Sequence, residues 1–163
     1  MISNKISIEA GIPQGSPLSP LLYMFYNSDL LDIPKKEGQS LEFINDITFG
    51  VQGLTDAGNA EKLGNWLEKA EIWRRRHGAK FEVTKYLLVH FTKNNRMSTE
   101  ANITMSDGVT ISASPEARYL GVIFNQKLNF KSHLQLAIKK GTKFALAMTR
   151  IMKSTWGAHY SQA

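Results

Sequence analysis

Between Thr55 and Gly78 the chain reads TDAGNAEKLGNWLEKAEIWRRRHG, and the apolar residues Ala60, Leu63, Trp66, Leu67, Ala70 and Trp73 recur at steps of three and four. That spacing places them on one stripe of a long α-helix, which Gly78 ends. Two further helices are expected. SPLSPLLYMFYNSDLL reads as a helix with Ser16 at the N-cap and Pro17 at the first helical position, where a missing N–H costs nothing. FKSHLQLAIKKGTKFALAMTRIMKS reads as a long helix despite Gly141. The remaining signals are short strands and turns. KISIE, LEFI and ITFGVQ are strand candidates, the last two joined at Asn45-Asp46. KYLLVHFT and RYLGVIF add two more, and NITMSDGVTISA reads as a hairpin on a two-residue Asp107-Gly108 turn. Hairpins in place of regular βαβ crossovers predict an α+β domain with a mainly antiparallel sheet, flanking helices and a final basic helix as an added element.

Composition narrows the chemistry. With 42% hydrophobic residues among 163, the chain can bury one core. It has no cysteine, which excludes disulfides, thiolate zinc sites and cysteine nucleophiles. Its four histidines show no ligand spacing. No apolar run approaches the roughly 20 residues of a membrane span, and MISNKISIEA lacks the apolar core of a signal peptide, so a soluble intracellular protein with no membrane partner is expected. The net charge of +6 is unevenly spread. From residue 127 to 163 there are seven Lys or Arg and no Asp or Glu. On the last helix Lys131, Lys139, Lys143, Arg150 and Lys153 gather within an arc of roughly 120°, opposite an apolar side formed by Leu134, Ala137, Ile138, Phe144, Ala145, Met148, Ile151 and Met152. One face is expected to pack. The other is a candidate contact for nucleic-acid phosphates, since a solvated face normally mixes both signs.

The stretch GIPQGSPLSP has a physical reading of its own. Gly11 and Gly15 permit positive φ and close approach of backbone, Gln14 offers a donor and an acceptor, and a helix opening at Ser16 would point free N–H groups outward. Such a loop can face a nucleotide or a phosphate. A plain strand-to-helix turn explains the same composition, and composition alone favours it.

The order of segments shifts that balance. GIPQGSPLSPLLYMFYNSDLL, then FINDITFGVQG, KFEVTKYLLVHFTK and RYLGVIFNQKLNFKSHLQLAIKKGTKFALAMTRI resemble, in sequence order, the central part of the reverse transcriptase of non-LTR retrotransposons. The resemblance implies a partial palm over residues 1–126 and the start of a thumb over 127–163. It implies two-metal nucleotidyl transfer with Mg²⁺, an RNA template, a DNA primer and deoxynucleoside triphosphates. Gly11, Pro13, Gln14, Gly15 and Ser16 match the family's Gly-x-Pro-Gln-Gly-Ser loop, expected at the template and nucleotide. Asn45 and Asp46 match the two carboxylates of its aromatic-x-Asp-Asp turn, and Lys85 matches a lysine that protonates pyrophosphate or positions the triphosphate. Read alone, Lys85 is a solvated lysine at a strand entrance.

Two departures from the family bear on catalysis. Asn45 stands where the first Asp of the pair belongs, leaving Asp46 as the lone carboxylate and metal ligand of the turn. Asn-Asp is also good turn chemistry, so the hairpin can survive the change. The family's upstream Asp strand and fingers precede the matched loop and are expected to be missing from this chain. Asn125 is a second position where the family often has Asp. Arg74-Arg75-Arg76-His77 can touch phosphates, although cations in a last helical turn also complement its dipole. His133 matches a thumb-helix histidine expected to pack or to bond at the helix start. The reading is a fragment or remnant of an RNA-directed DNA polymerase, inactive as an isolated chain. The alternatives are a non-catalytic nucleic-acid-binding module using the basic helix, or a relic with an exposed sheet edge.

Overall fold

The computed structural model describes residues 11–13 and 15–151. The strand expected at KISIE, together with Gln14, Met152 and Lys153, lies outside them. Helix α1 spans Ser19–Leu31, strands β1 and β2 Gln39–Phe43 and Asp46–Gly50, and helix α2 Asp56–His77. After a single 3₁₀ turn at Val83–Lys85 come β3 (Ile103–Thr104), β4 (Thr110–Ile111), β5 (Glu116–Tyr119), β6 (Val122–Asn125) and helix α3 (Lys131–Ile151). The strands form three two-stranded antiparallel pairs, β1–β2, β3–β4 and β5–β6. The class is mixed α+β. Two compact units divide the chain, one holding the residues up to Tyr86 with Ala101–Ile111, the other Leu87–Glu100 with the residues from Ser112 onward.

In the first unit, α2 forms as its periodicity requires. Thr55 caps it by accepting from the Gly58 N–H at 3.2 Å, and Gly78 closes it in the left-handed region at φ 65°. Its buried stripe is Ala60, Trp66, Ala70 and Trp73. Ala70 and Trp73 meet Leu30 of α1, with Ile33, Ile47, Phe49, Ala79 and Phe81 packed round them. Trp66 turns its edge to Phe49 at 6.3 Å. Polar bonds complete the fit: Glu68 accepts from both the N–H and the hydroxyl of Ser106, and Asp56 from the Ala101 N–H at 3.1 Å.

In the second unit, β5 and β6 turn at Leu120-Gly121, with φ 46° and 86°. Phe124 packs edge-on against Phe130 at 5.8 Å. His133, on the first turn of α3, accepts the Ile123 N–H of β6 at Nδ1, 3.4 Å away, which places its ring proton on Nε2. The Asn125 Oδ1 accepts from the Asn129 N–H at 3.0 Å, its Nδ2 donates to Asn129 Oδ1 at 2.6 Å, and Asn129 Oδ1 also accepts from Lys131 N–H. These two amides lock the lead-in to α3, where Leu128 and Phe130 stand at φ 51° and 56°.

Five local expectations are corrected. The first helix begins at Ser19, not at Ser16: in a helix opening at Ser16, Pro20 would have to donate an N–H it lacks, whereas at the first turn it is tolerated. KYLLVHFT is not a regular strand. It makes one isolated bridge, Leu88 to Ala113, because no neighbour supplies consecutive ladder bonds. RYLGVIF is two strands with the Leu120-Gly121 turn inside it. The β3–β4 loop has three residues, Met105 bonding both Val109 and Gly108, with Gly108 at φ 87° after the Ser106-Asp107 turn. Last, the apolar side of α3 is not packed among the described residues: Leu134, Ile138, Phe144 and Met148 are all more than half exposed.

Gly38 is fixed by close approach, since a Cβ there would collide with the Trp66 ring and lie 2.6 Å from the Gly50 carbonyl oxygen. Both obstacles belong to the packed unit, and one is backbone. Gly38→Ala is therefore expected to destabilise the chain by about 1–3 kcal/mol, read as a lower urea midpoint at unchanged slope.

Candidate functional site

The β1–β2 hairpin pairs Phe43 with Asp46 across a two-residue turn, Ile44-Asn45. Ile44 is β-branched yet held at φ 57°, a conformation such residues rarely adopt. Alternation along the strands then sorts the side chains. Ser40, Glu42, Ile47 and Phe49 form one face, and Leu41, Phe43, Asp46 and Thr48 the other. Leu41 and Phe43 are 60% and 52% exposed, and Asn45 and Asp46 are exposed as well.

Polar ties on the other face hold the hairpin to α1. The Ser40 hydroxyl donates to the Leu31 carbonyl at 2.6 Å, and the amide of Asn27 donates to Glu42 Oε1 at 3.2 Å. Asn27 is 3% exposed, so losing Glu42 would strand a buried polar group. Sequence reasoning missed this pair, whose only signal was an Asn following the apolar and aromatic run LLYMFY.

The Gly-Pro-Gln-Gly segment folds back onto the start of the same helix. Gly11 and Gly15 take φ 111° and 85°, as expected of a loop needing positive φ. The Pro13 carbonyl accepts from the Ser16 N–H at 3.4 Å and from the hydroxyl of buried Ser19 at 2.6 Å. Ser16 Oγ accepts from the Leu18 N–H within the turn at 3.3 Å. Donors expected to point outward are partly spent: Ser19 N–H bonds the Ser16 carbonyl, and Pro20 has none. The loop is built by its own bonds, and α1 links it to the Asn45-Asp46 hairpin.

Lys85 ends the 3₁₀ turn and is exposed, with its charge acting on Glu82, whose carboxyl is lowered chiefly by the Thr84 hydroxyl. The next residue is anchored. Tyr86 directs its hydroxyl to Glu71 at 3.5 Å, and Glu71 is ion-paired to Arg74 at 2.5 Å. Burial, aided by the Glu71 carboxylate, pushes the Tyr86 phenol up to about 12.

Lys131, Lys139, Lys143 and Arg150 are all exposed on α3. Lys139, Lys143 and Arg150 border a shallow groove of ≈ 520 Å³ with Thr142, Leu146 and Ala147. Asn125, read as a lost acid, serves instead in the amide clamp before α3. Among the described residues no group of three or more His, Asp or Glu is placed to hold a metal, and no helix is long and apolar enough to cross a membrane. One exposed carboxylate beside an amide does not fit a site for two divalent ions.

Residues 2–124 match the family model described as reverse transcriptase (RNA-dependent DNA polymerase). The chain is 28% identical over 139 residues to the probable RNA-directed DNA polymerase from transposon X-element of Drosophila melanogaster, covering 82% of this chain and 15% of that protein. It is 28% identical over 155 residues to the RNA-directed DNA polymerase from mobile element jockey of Drosophila funebris, covering 91% and 16%. The chain thus spans about 15% of the length of these relatives. No solved structure matches it.

An unfolded Tyr86 would lose its proton near pH 10 and the folded one near 12, so across that window the unfolded state binds fewer protons. Stability is expected to fall as pH rises from about 10 to about 12. Tyr86→Phe should lack that part of the fall, as urea midpoints on either side of the window would record.

Proposed function

Because the chain belongs to the reverse transcriptase family, of the kind carried by non-LTR retrotransposons, we propose that it is a fragment or remnant of an RNA-directed DNA polymerase, contributing part of a palm and the start of a thumb. Residues 1–126 are assigned to the palm and 127–163 to the thumb. The observation that carries this reading is the placement of Asn45 and Asp46: Asn45 lies in the turn and Asp46 opens the second strand of an antiparallel hairpin bonded, through Glu42 and Asn27, to the helix that the Gly-Pro-Gln-Gly loop leads into. In this reading Gly11, Pro13, Gln14, Gly15 and Ser16 approach the template and nucleotide, and Lys85 reaches toward the triphosphate. An RNA template and a DNA primer are the partners.

The chain's own residues supply positioning. The Asn27–Glu42 bond fixes the hairpin to α1, and the Pro13 carbonyl with Ser19 fixes the loop to the same helix. Magnesium is the metal the family implies, yet the donors here do not fit a two-ion centre. Asn45 can lend an oxygen but no charge, so Asp46 alone opposes the repulsion between two dications. No step through a metal follows from these residues, and the isolated chain is proposed to be inactive as a polymerase.

Primer extension on an RNA template is expected to stay at background for the 163-residue chain, with or without Asn45→Asp. Grafted into the polymerase of the X-element relative, the same segment should gain from Asn45→Asp. Removing a ligand's outer-shell partner typically costs 10–100-fold, and a lost ligand should cost no less, so a gain of at least about tenfold is expected. Extension by the isolated chain would contradict the reading.

The basic face of α3 is proposed to lie along the primer–template backbone. Replacing Lys139, Lys143 and Arg150 by Ala should weaken binding of a primer–template duplex, measured by fluorescence anisotropy. It should also reduce the slope of log affinity against log salt by about 0.9 for each phosphate left without its cation.

A further inference from the structure

The C-terminal end of α2 carries a surface that the assignments above leave unused. Trp73 and His77, one turn apart, stack with ring centroids 4.4 Å apart and planes 19° from parallel. Tyr26 lies 5.2 Å from Trp73 and 5.9 Å from His77, nearly perpendicular to the imidazole. Those three separations put Tyr26 beside the stack, on the Trp73 side. Its hydroxyl donates to the His77 carbonyl at 2.8 Å, and His77 Nδ1 lies 2.9 Å from the Trp73 carbonyl oxygen. The imidazole is therefore held from behind and from the side while its residue stays exposed. A fixed aromatic ring with an uncovered face can take a stacked base.

Cations surround that face unequally. At about 100° per residue, Arg74 and Arg76 flank the line from Trp73 to His77, whereas Arg75 lies about 160° round from His77. Arg74 is ion-paired to Glu71. Arg75, Arg76 and Lys80 are exposed and have no ion-pair partner among the described residues. Glu71, one turn before Arg74 and Arg75 on the same helix, is held by Arg74, and exposed Asp29 lies one turn beyond Tyr26 on α1. Dipole complementarity accounts for basic residues in the last turn of α2. It does not call for a supported stacking face, nor for a lysine beyond the Gly78 cap.

We infer that this end of α2 binds single-stranded nucleic acid, with a base on the open face of His77 and the flanking phosphates on Arg76 and Lys80. An open face suits a continuous strand, whose neighbouring phosphates extend past the stacked base to exposed cations. The inference requires no polymerase activity and uses none of the residues assigned to catalysis.

The test is titration of a short single-stranded RNA containing 2-aminopurine into the full chain carrying Lys139→Ala, Lys143→Ala and Arg150→Ala, so that α3 contributes little. Binding should quench the base, and His77→Phe should keep the quench. His77→Ala should abolish it and weaken binding about fivefold or more, the lower end of what one stacked base contributes. Arg76→Ala with Lys80→Ala should reduce the salt slope by about 0.7 for each phosphate left without its cation, while Arg75→Ala changes quench and slope little. Equal losses for Arg75→Ala and Arg76→Ala would overturn the inference, leaving only diffuse attraction. So would a free mononucleotide bound as tightly as the strand, or heparin bound as tightly with the same dependence on Arg76 and Lys80. Should His77→Ala fail to fold by circular dichroism, the exposed Arg75, Arg76 and Lys80 substitutions decide the matter through the salt slope.

Discussion

The packing of Trp66 and Trp73 against the hairpin and α1 is the interaction on which the first unit depends. Both indoles sit on one stripe of α2, and each fixes a different neighbour: Trp66 lies under Gly38 and Phe49, Trp73 beside Leu30, Tyr26 and Phe81. Burying a side chain of this size contributes a few kcal/mol, a large share of a small unit's net stability. Trp73 is placed for its ring rather than its N–H, since its buried Nε1 has no hydrogen-bond partner among the described residues. The aromatic surface outweighs that cost, and the Ile44-Asn45 turn, with Asp46 beside it, inherits its position from the packing.

Function enters through the polar bonds laid over this core. Glu42 and Ser40 face α1 because they alternate with Leu41 and Phe43, and the same alternation puts Asp46 on the exposed face. That face combines a carboxylate with two apolar side chains more than half exposed. Replacement of one Asp by Asn45 alters charge while leaving the hairpin intact, since Asn suits a turn and the register is held elsewhere. Family membership and the proposed loss of activity are thus compatible in one chain.

Much of this was legible in the sequence, for physical reasons that differ by element. The long helix was plain because its apolar spacing and Gly78 agree, and α3 because its cations and apolar residues separate cleanly. The β1–β2 hairpin followed from two short apolar runs around a polar pair, but its turn falls one residue earlier than Asn45-Asp46, at Ile44-Asn45, and Asp46 opens β2. RYLGVIF concealed its turn because Leu120 is not a residue that advertises positive φ, so an apolar run looked continuous. KYLLVHFT has strand composition, but a strand is made by its neighbours, and among the described residues its isolated bridge at Leu88 is not extended into a ladder. At the site, the loop glycines and the Asn45-Asp46 pair were readable from motif order. The Asn27–Glu42 tie and the Tyr26–His77 bond were not, since each joins residues distant in sequence whose meeting depends on the fold. Asn125, where the family often has Asp, has a local role with Asn129 that the sequence did not show.

We propose that a reverse-transcriptase palm hairpin survives here with a single carboxylate where the family's metal turn holds two. The most direct measurement is titration of the chain with Mn²⁺ while following paramagnetic broadening of backbone amide resonances. Weak, millimolar broadening centred on Asp46 and the adjoining turn is expected, tightened when Asn45 is replaced by Asp. Saturable micromolar binding at that turn in the unaltered chain would contradict it, because it would show a complete metal site that one carboxylate and one amide cannot form.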